Sequence, residues 1–138
     1  MVYLVYGAPC SGKTTYIKNH KRLGDLVCDT DLLYSAISMD DGHNAENLYI
    51  QMVAKELNET LTDIIKTRRG KWRDAYVVSV ANTKEKLQKE KERVNADKVI
   101  FMNTPLSVCL ERSKERPFYF SWLIQEWFEK SDFDLSEE

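Results

Sequence analysis

The stretch Gly7-Ala8-Pro9-Cys10-Ser11-Gly12-Lys13-Thr14 decides the fold of this chain. It follows an apolar run, Val2–Tyr6, that predicts a buried strand, and it leads into a predicted helix that begins near Lys13. A glycine-rich turn that ends in Lys-Thr between a strand and a helix is typical of a phosphate-binding loop (P-loop). The alternative is a chance glycine-rich turn, but every fixed position of the G-x-x-x-x-G-K-[ST] pattern is matched. The stretch therefore predicts a site for a nucleoside triphosphate.

The chemistry of phosphate binding explains these residue types. Gly7 and Gly12 let the backbone curl so that its N–H groups point into one hollow, and the helix N-terminus adds partial positive charge. We expect Lys13 to contact the β and γ phosphates of ATP and the Thr14 hydroxyl to bind Mg²⁺. The predicted nucleotide-binding residues are Gly7, Ala8, Pro9, Cys10, Ser11, Gly12, Lys13, Thr14 and Thr15.

Length and composition limit the alternatives. The 138 residues predict a single domain over 1–131, followed by an acidic tail, 132–138, that we expect to fray. The net charge of −2 provides no broad basic surface, so we expect nucleic acid only as a substrate held at one end. Three cysteines without C-x-x-C spacing predict reduced thiols and a cytoplasmic location. The sequence predicts no signal peptide and no membrane-spanning segment.

Short apolar runs alternate with helical segments along the chain. The runs are 2–6, 26–28, 75–80 and 98–102, and they are nearly continuous, as in parallel strands covered on both faces. This order predicts a three-layer α/β/α fold with a short parallel sheet of about four strands. In such sheets the active site lies at the carboxyl ends of the strands.

Three helices depend on particular signals. Thr104-Pro105 predicts a helix start, with the Thr104 hydroxyl as the cap and Pro105 at the first helical position. The segment 45–69 predicts a long helix with Asn44 as its N-cap. Its apolar stripe is Leu48, Tyr49, Met52, Val53, Leu57, Leu61, Ile64 and Ile65. An aromatic stripe from Phe120 to Phe128 predicts a last helix that either packs on the core or docks a partner.

Two carboxylates, Asp29 and Asp31, follow the second predicted strand and therefore fall on the P-loop side of the sheet. An acid there can orient or deprotonate a hydroxyl that attacks the γ-phosphoryl group, or it can hold a magnesium-bound water. Asp31 could also cap the next helix. The two roles are compatible.

The P-loop followed by a strand ending in Asp-Thr-Asp resembles the small P-loop kinases related to polynucleotide kinase, zeta toxin and gluconate kinase. Within that group the sequence most resembles short ATP-binding proteins of bacteriophages, which implies the host cytoplasm for a phage protein. The resemblance implies the fold of P-loop NTPases, with Asp31 activating the acceptor hydroxyl and Asp29 on the metal side. By position it also implies that Arg112 and Arg116 close over the phosphates. Their spacing predicts that both project from one helical face.

The sequence departs from these families in the acceptor region. No acid ends the third predicted strand, and Tyr34 stands where polynucleotide kinases have an arginine for the substrate phosphate. His43 lies in the loop that could hold an acceptor, where it either touches substrate or is solvated. The basic segment 68–73 precedes the third strand, so we expect it at the opposite edge of the sheet.

These features favour an ATP- and Mg²⁺-dependent phosphotransferase. Lys13, Asp31, Arg112 and Arg116 are the predicted catalytic residues, and Thr14 and Asp29 are on the metal side. The acceptor is a small molecule or a nucleotide with a hydroxyl group, such as a nucleoside or a polynucleotide 5′ end. Two alternatives stay open: an ATPase without an acceptor, and a nucleotide-binding interaction module. The sequence leaves the oligomeric state undecided.

Overall fold

The computed structural model of the chain describes residues 1–135. Strands and helices alternate as the sequence predicts. The strands are β1 (Val2–Tyr6), β2 (Leu26–Cys28), β3 (Ala75–Ser79) and β4 (Lys98–Phe101). The α-helices are α1 (Lys13–His20), α2 (Thr30–Ser38), α3 (Leu48–Lys66), α4 (Lys84–Val94), α5 (Leu106–Arg112) and α6 (Phe120–Lys130). Short 3-10 turns cover Gly42–Asn44 and Ser113–Glu115.

The four strands form one parallel sheet in the order β2-β3-β1-β4. The chain moves in one direction across the sheet from β1 to β2, and in the other direction from β2 to β3 and from β3 to β4. Because such crossovers are right-handed, α1 lies on one face, and α2, α3 and α4 lie on the other. This is the three-layer fold of P-loop NTPases that the sequence predicts. All four strands end at one edge.

Alternate side chains of β1 fill the two faces of the sheet. Val2 and Leu4 pack with Ile65 of α3 in one core cluster. Val5 packs with Ile17 of α1 in another. A strand buried on both faces reads as a continuous apolar run, which is why the sequence identifies it so clearly.

The long helix α3 buries only the C-terminal part of the predicted apolar stripe. Ile65 is buried and Leu61 packs against the same core cluster, whereas Leu48 and Tyr49 are 69% and 82% exposed. The stripe residues Met52, Val53 and Leu57 are also exposed. The other residues that α3 buries are small or polar, namely Ala54, Asn58 and Thr62, and the helix contacts α2 and α4. The N-cap is Asn47 rather than Asn44, because Asn47 Oδ1 accepts from the amides of Tyr49 and Ile50.

The last helix packs on the core of the domain. Ile124 and Trp127 are buried, and Trp127 Nε1 donates to the Val80 carbonyl oxygen at 2.9 Å. Beyond α6, the Phe133 ring lies 5.2 Å from the Tyr6 ring and contacts the same cluster. Phe133 and Leu135, within the tail that the sequence predicts to fray, both pack against this cluster, and residues 136–138 lie outside the described part. Within residues 1–135, no helix combines the length and the apolar character that a membrane span requires.

Candidate nucleotide-binding and acceptor site

A large cleft opens at the carboxyl end of the sheet, where the topology rule places the active site. It brings together residues that lie far apart in the sequence. Of the predicted site residues, Pro9, Cys10, Ser11, Gly12, Lys13, Thr14, Thr15, Asp29, Asp31, Arg112 and Arg116 line it. Gly7 and Ala8 are buried behind the loop.

The loop between β1 and α1 has the backbone of an anion site. A side chain at Gly7 would bring a Cβ atom within 2.8 Å of Ser11 Oγ and 2.9 Å of the Met102 carbonyl oxygen. Gly12 has a φ of 101° and is the N-cap of α1, where no side chain accepts from the first amides. By contrast, Asp29, Asn47 and Thr83 cap α2, α3 and α4. The amides of the first turn of α1 are therefore available to an anion.

Neighbouring segments hold this loop from outside. The Thr104 hydroxyl donates to the Ser11 carbonyl oxygen at 2.7 Å, and Arg112 Nη1 donates to the Cys10 carbonyl oxygen at 3.2 Å. The predicted capping role of Thr104 is wrong, because Pro105 occupies the N-cap position of α5. Thr104 is used to fix the loop instead.

Lys13 is the one cation buried in the loop. Its Nζ donates to the carbonyl oxygens of Gly7 and Ala8, both at 2.8 Å. Burial lowers the pKa of Lys13 to about 8, although the Asp29 carboxylate works in the opposite direction. The ammonium therefore rests on neutral acceptors, which a phosphate can replace as stronger partners.

The loop also contains a buried polar atom that a ligand could satisfy. Ser11 Oγ is buried and has no hydrogen-bond partner within residues 1–135. Thr14 lies in the first turn of α1 and lines the cleft with Asp29. The described residues contain no cluster of three or more His, Cys, Asp or Glu that could hold a metal by itself. Magnesium in such sites takes few protein ligands and several phosphate and water oxygens, so this donor set fits it.

Asp29 and Asp31 differ in their surroundings. Asp29 Oδ1 accepts from the Asp31 amide at 2.9 Å, so Asp29 rather than Asp31 caps α2. The Asp31 side chain is open to solvent within the concave cleft. Partial desolvation in the cleft raises the pKa of Asp31, as does the Asp29 carboxylate. His43, Arg116 and Lys13 lower it. Asp31 is thus the acid left available to a substrate.

The segment between these acids is fixed by Asn58, a residue that the sequence pattern does not mark as functional. Asn58 of α3 is buried, and its Nδ2 donates to Thr30 Oγ1 at 3.0 Å and to Cys28 Sγ at 3.3 Å. Its Oδ1 accepts from Arg93, which pairs with Glu90 at 3.1 Å. The sequence offered only an asparagine in the middle of a predicted long helix, because its burial and its satisfied polar groups are tertiary features.

The two arginines reach the cleft from different backbone segments. The helix α5 ends at Arg112, and Arg116 follows the 3-10 turn in an extended conformation. The prediction of one shared helical face is therefore wrong. The Arg116 guanidinium lies 5.6 Å from the centre of the Phe120 ring. Glu111 pairs with Lys114 at 2.7 Å and leaves Arg112 free to bind the loop.

A tight turn holds His43 beside Asp31. A Cβ atom at Gly42 would overlap the Asp31 carbonyl oxygen, so only glycine allows this approach. His43 lines the cleft, with its ring 6.5 Å from that of Phe120. Tyr34 is buried, and its hydroxyl accepts from the Asn47 amide at 3.3 Å. Tyr34 therefore supports the backbone and does not replace a phosphate-binding arginine.

The basic segment 68–73 lies at the opposite edge of the sheet, as its position before β3 predicts. Arg68 Nη2 donates to the Asn95 carbonyl oxygen at 2.8 Å and to Asp97 at 3.2 Å. Trp72 Nε1 donates to the Arg69 carbonyl oxygen, and its ring packs on the core. These groups play no part in the cleft.

Comparison with known families agrees with the geometry. A family model described as an AAA domain matches residues 2–121. The chain belongs to this family. Its members are P-loop kinase-like domains of the gluconate kinase, polynucleotide kinase and zeta toxin type. No curated protein matches the chain. The chain is therefore a P-loop, nucleotide-binding, kinase-like domain, and its P-loop lines the cleft.

Proposed function

We propose that this protein is a phosphotransferase that moves the γ-phosphoryl group of ATP to a hydroxyl acceptor. The observation that carries the proposal is the position of Asp31. It lines the same cleft as Lys13, its side chain is exposed, and the cap of α2 is supplied by Asp29 instead. A P-loop that only binds nucleotide has no need of a free carboxylate facing the phosphates.

The residues divide the reaction between them. Lys13 and the amides of the loop bind the β and γ phosphates, while Arg112 and Arg116 offset charge that develops on the transferred group. Asp31 accepts the proton of the acceptor hydroxyl, whose oxygen bonds to the γ-phosphorus. The bond from that phosphorus to the β–γ bridging oxygen breaks, and ADP leaves. Magnesium, which Thr14 would ligate with Asp29 nearby, neutralises phosphate charge when bound.

The test is transfer of labelled γ-phosphate to a panel of nucleosides, oligonucleotides with a 5′ hydroxyl, and sugars. Asp31→Asn should lower transfer at least about 100-fold, because general base catalysis contributes roughly 10²–10⁴. Its ATP affinity should stay within about threefold, since Asp31 does not hold the loop. Asp40→Asn, an exposed acid outside the cleft, is the matched control. Absence of transfer to every acceptor would overturn the proposal, and transfer that survives Asp31→Asn would show that Asp31 is not the general base.

An ATPase without an acceptor is the second candidate. It is favoured by the end of β3, where Ser79 stands and no acid is available to support magnesium. It predicts ATP hydrolysis that none of the hydroxyl compounds accelerates or captures as a phosphate ester.

A further inference from the structure

Different sides of the cleft differ in charge. The P-loop side holds Lys13 and Arg112, and a side formed by α4 and the end of α6 adds four cations and two acids: Lys86, Lys89, Arg93, Lys130, Glu90 and Glu126. A third side is formed by α2, the loop 41–46, Gln51 of α3 and the start of α6. We call it the acceptor wall, and its cleft-lining residues are Asp31, Gly42, His43, Ala45, Gln51, Tyr119 and Phe120.

Carboxylates surround the acceptor wall. The pKa of Tyr119 is raised by burial and then by the nearby charges of Glu46, Asp31 and Asp41. Asp41 is fixed in place, because its Oδ1 accepts from the His43 amide at 2.9 Å. Glu46 follows in the same loop, where its amide donates to the Asn44 carbonyl oxygen.

Few cations are left to balance these acids when ATP is bound. The facing basic groups are His43, whose Nδ1 lies 3.5 Å from Asp41 Oδ1, together with Arg116 and Lys13. The proposed mechanism assigns Lys13 and Arg116 to the phosphates of ATP. The helix α2 contains no lysine or arginine. Tyr34, at the position where an acceptor phosphate would need a cation, is turned inward to the Asn47 amide. An acceptor phosphate would meet like charge here.

The rest of the wall is aromatic and uncharged. The rings of Tyr119 and Phe120 lie 5.4 Å apart with an angle of 32° between their planes. His43 meets Phe120 edge-on, and Gln51 adds an amide. Such a surface suits the flat or apolar face of an uncharged ring.

We propose that the acceptor is an uncharged, ring-bearing hydroxyl compound without phosphate, of the nucleoside or glycoside class, bound at the acceptor wall. This inference rests on the proposed phosphotransferase function and narrows it. It excludes nucleotides and polynucleotide ends as preferred acceptors, because their phosphates would lie beside Asp31 and in the field of Asp41 and Glu46 behind the wall.

Matched acceptors test the inference directly. Each pair offers the same acceptor hydroxyl with and without a distant phosphate: a nucleoside against its 3′-monophosphate, and a sugar against its 1-phosphate. The wild-type protein should use the phosphate-free member with at least about tenfold higher kcat/KM, and added salt should reduce the ratio by screening the charges.

A double variant tests the stated cause. Asp41→Asn with Glu46→Gln should raise kcat/KM for the phosphate-bearing member roughly tenfold by removing two like charges, and should shrink the ratio. Asn at position 41 still accepts from the His43 amide, so the turn is kept. Asp40→Asn with Glu56→Gln removes the same charge outside the cleft and should leave the ratio unchanged.

The possible failures are distinguishable. Preferential transfer to the phosphate-bearing members, or a ratio that the Asp41/Glu46 variant leaves unchanged, would overturn the inference and leave the phosphotransferase function standing. Absence of transfer to every member would overturn both.

Discussion

Both ends of the parallel sheet carry acids and bases, but they use them differently. At the amino end the charges pair with one another. The Met1 ammonium group donates to Asp74 at 2.8 Å, and Arg22 pairs with the same carboxylate at 3.2 Å. Asp97 accepts from the Val2 amide at 2.7 Å and pairs with Arg68. These bonds close the ends of the strands.

At the carboxyl end the charged groups of the P-loop and Asp31 are left without ion-pair partners among residues 1–135. Lys13 is held by neutral carbonyl oxygens, and the first amides of α1 have no side-chain cap. The Asp31 carboxylate has no ion-pair partner within residues 1–135. Whether the charges are paired therefore distinguishes a structural charge cluster from a binding site. Basic composition alone does not, since the segment 68–73 is more basic than the P-loop.

Removing one cation from each end of the sheet tests this difference most directly. Lys13→Ala should weaken ATP binding by about 100-fold or more, because charge-assisted bonds to phosphate are lost. Its effect on the free energy of unfolding should stay within about 1 kcal/mol, since the variant also removes the cost of burying the ammonium. Isothermal titration calorimetry and chemical denaturation measure the two quantities.

The counterpart at the amino end is Arg68→Asn. Arg68 has a φ of 55°, which asparagine tolerates, so the change removes the guanidinium without adding backbone strain. We expect a loss of about 1–3 kcal/mol in the free energy of unfolding and no change in ATP affinity. If Arg68→Asn weakened ATP binding, or Lys13→Ala left it intact, the division between the ends would be wrong.

The second prediction concerns the pH dependence of ATP binding. Burial lowers the pKa of Lys13 to about 8 in the free protein. Phosphates favour the charged lysine and raise its pKa on binding. Affinity should therefore be insensitive to this group below about pH 8 and fall above it, approaching tenfold per pH unit, with proton uptake visible in calorimetry.

Lys13→Arg is the control for this effect, because arginine stays charged across the range. Whatever its absolute affinity, its pH profile above 8 should be flat. A wild-type affinity that stays constant up to pH 9.5 would contradict a buried, titrating lysine in the loop.

At the carboxyl end, the sequence predicted the parts of the site that one chain segment forms better than the parts that tertiary contacts assemble. The P-loop is one segment whose residue types follow from phosphate chemistry, and the strands are buried on both faces, so their apolar runs are unambiguous. Much of the stripe on α3 was predicted wrongly, because hydrophobic spacing cannot show that the helix buries Ala54 and Thr62 instead. The acceptor wall needs Gly42 against Asp31 and Phe120 against His43, which are tertiary contacts without a local signal.

The smallest expected effect is the loss of stability in acid that follows from Asp74 at the amino end. The pKa of Asp74 is lowered mainly by its hydrogen bond from the Met1 ammonium group and also by Arg22. Its contribution to stability is therefore present above the unfolded-state pKa of about 3.9 and is lost as pH falls through the lower folded-state value. Asp74→Asn should lower the free energy of unfolding by about 1–2 kcal/mol at pH 7 and flatten its decline below pH 4. Chemical denaturation from pH 3 to 7 measures the free energy of unfolding.

Asp63→Asn, in the exposed pair with Arg69, is the control and should lower the free energy of unfolding by less than about 1 kcal/mol. If the two variants behaved alike, the pairing at the amino end would be a surface feature that does not secure the strands.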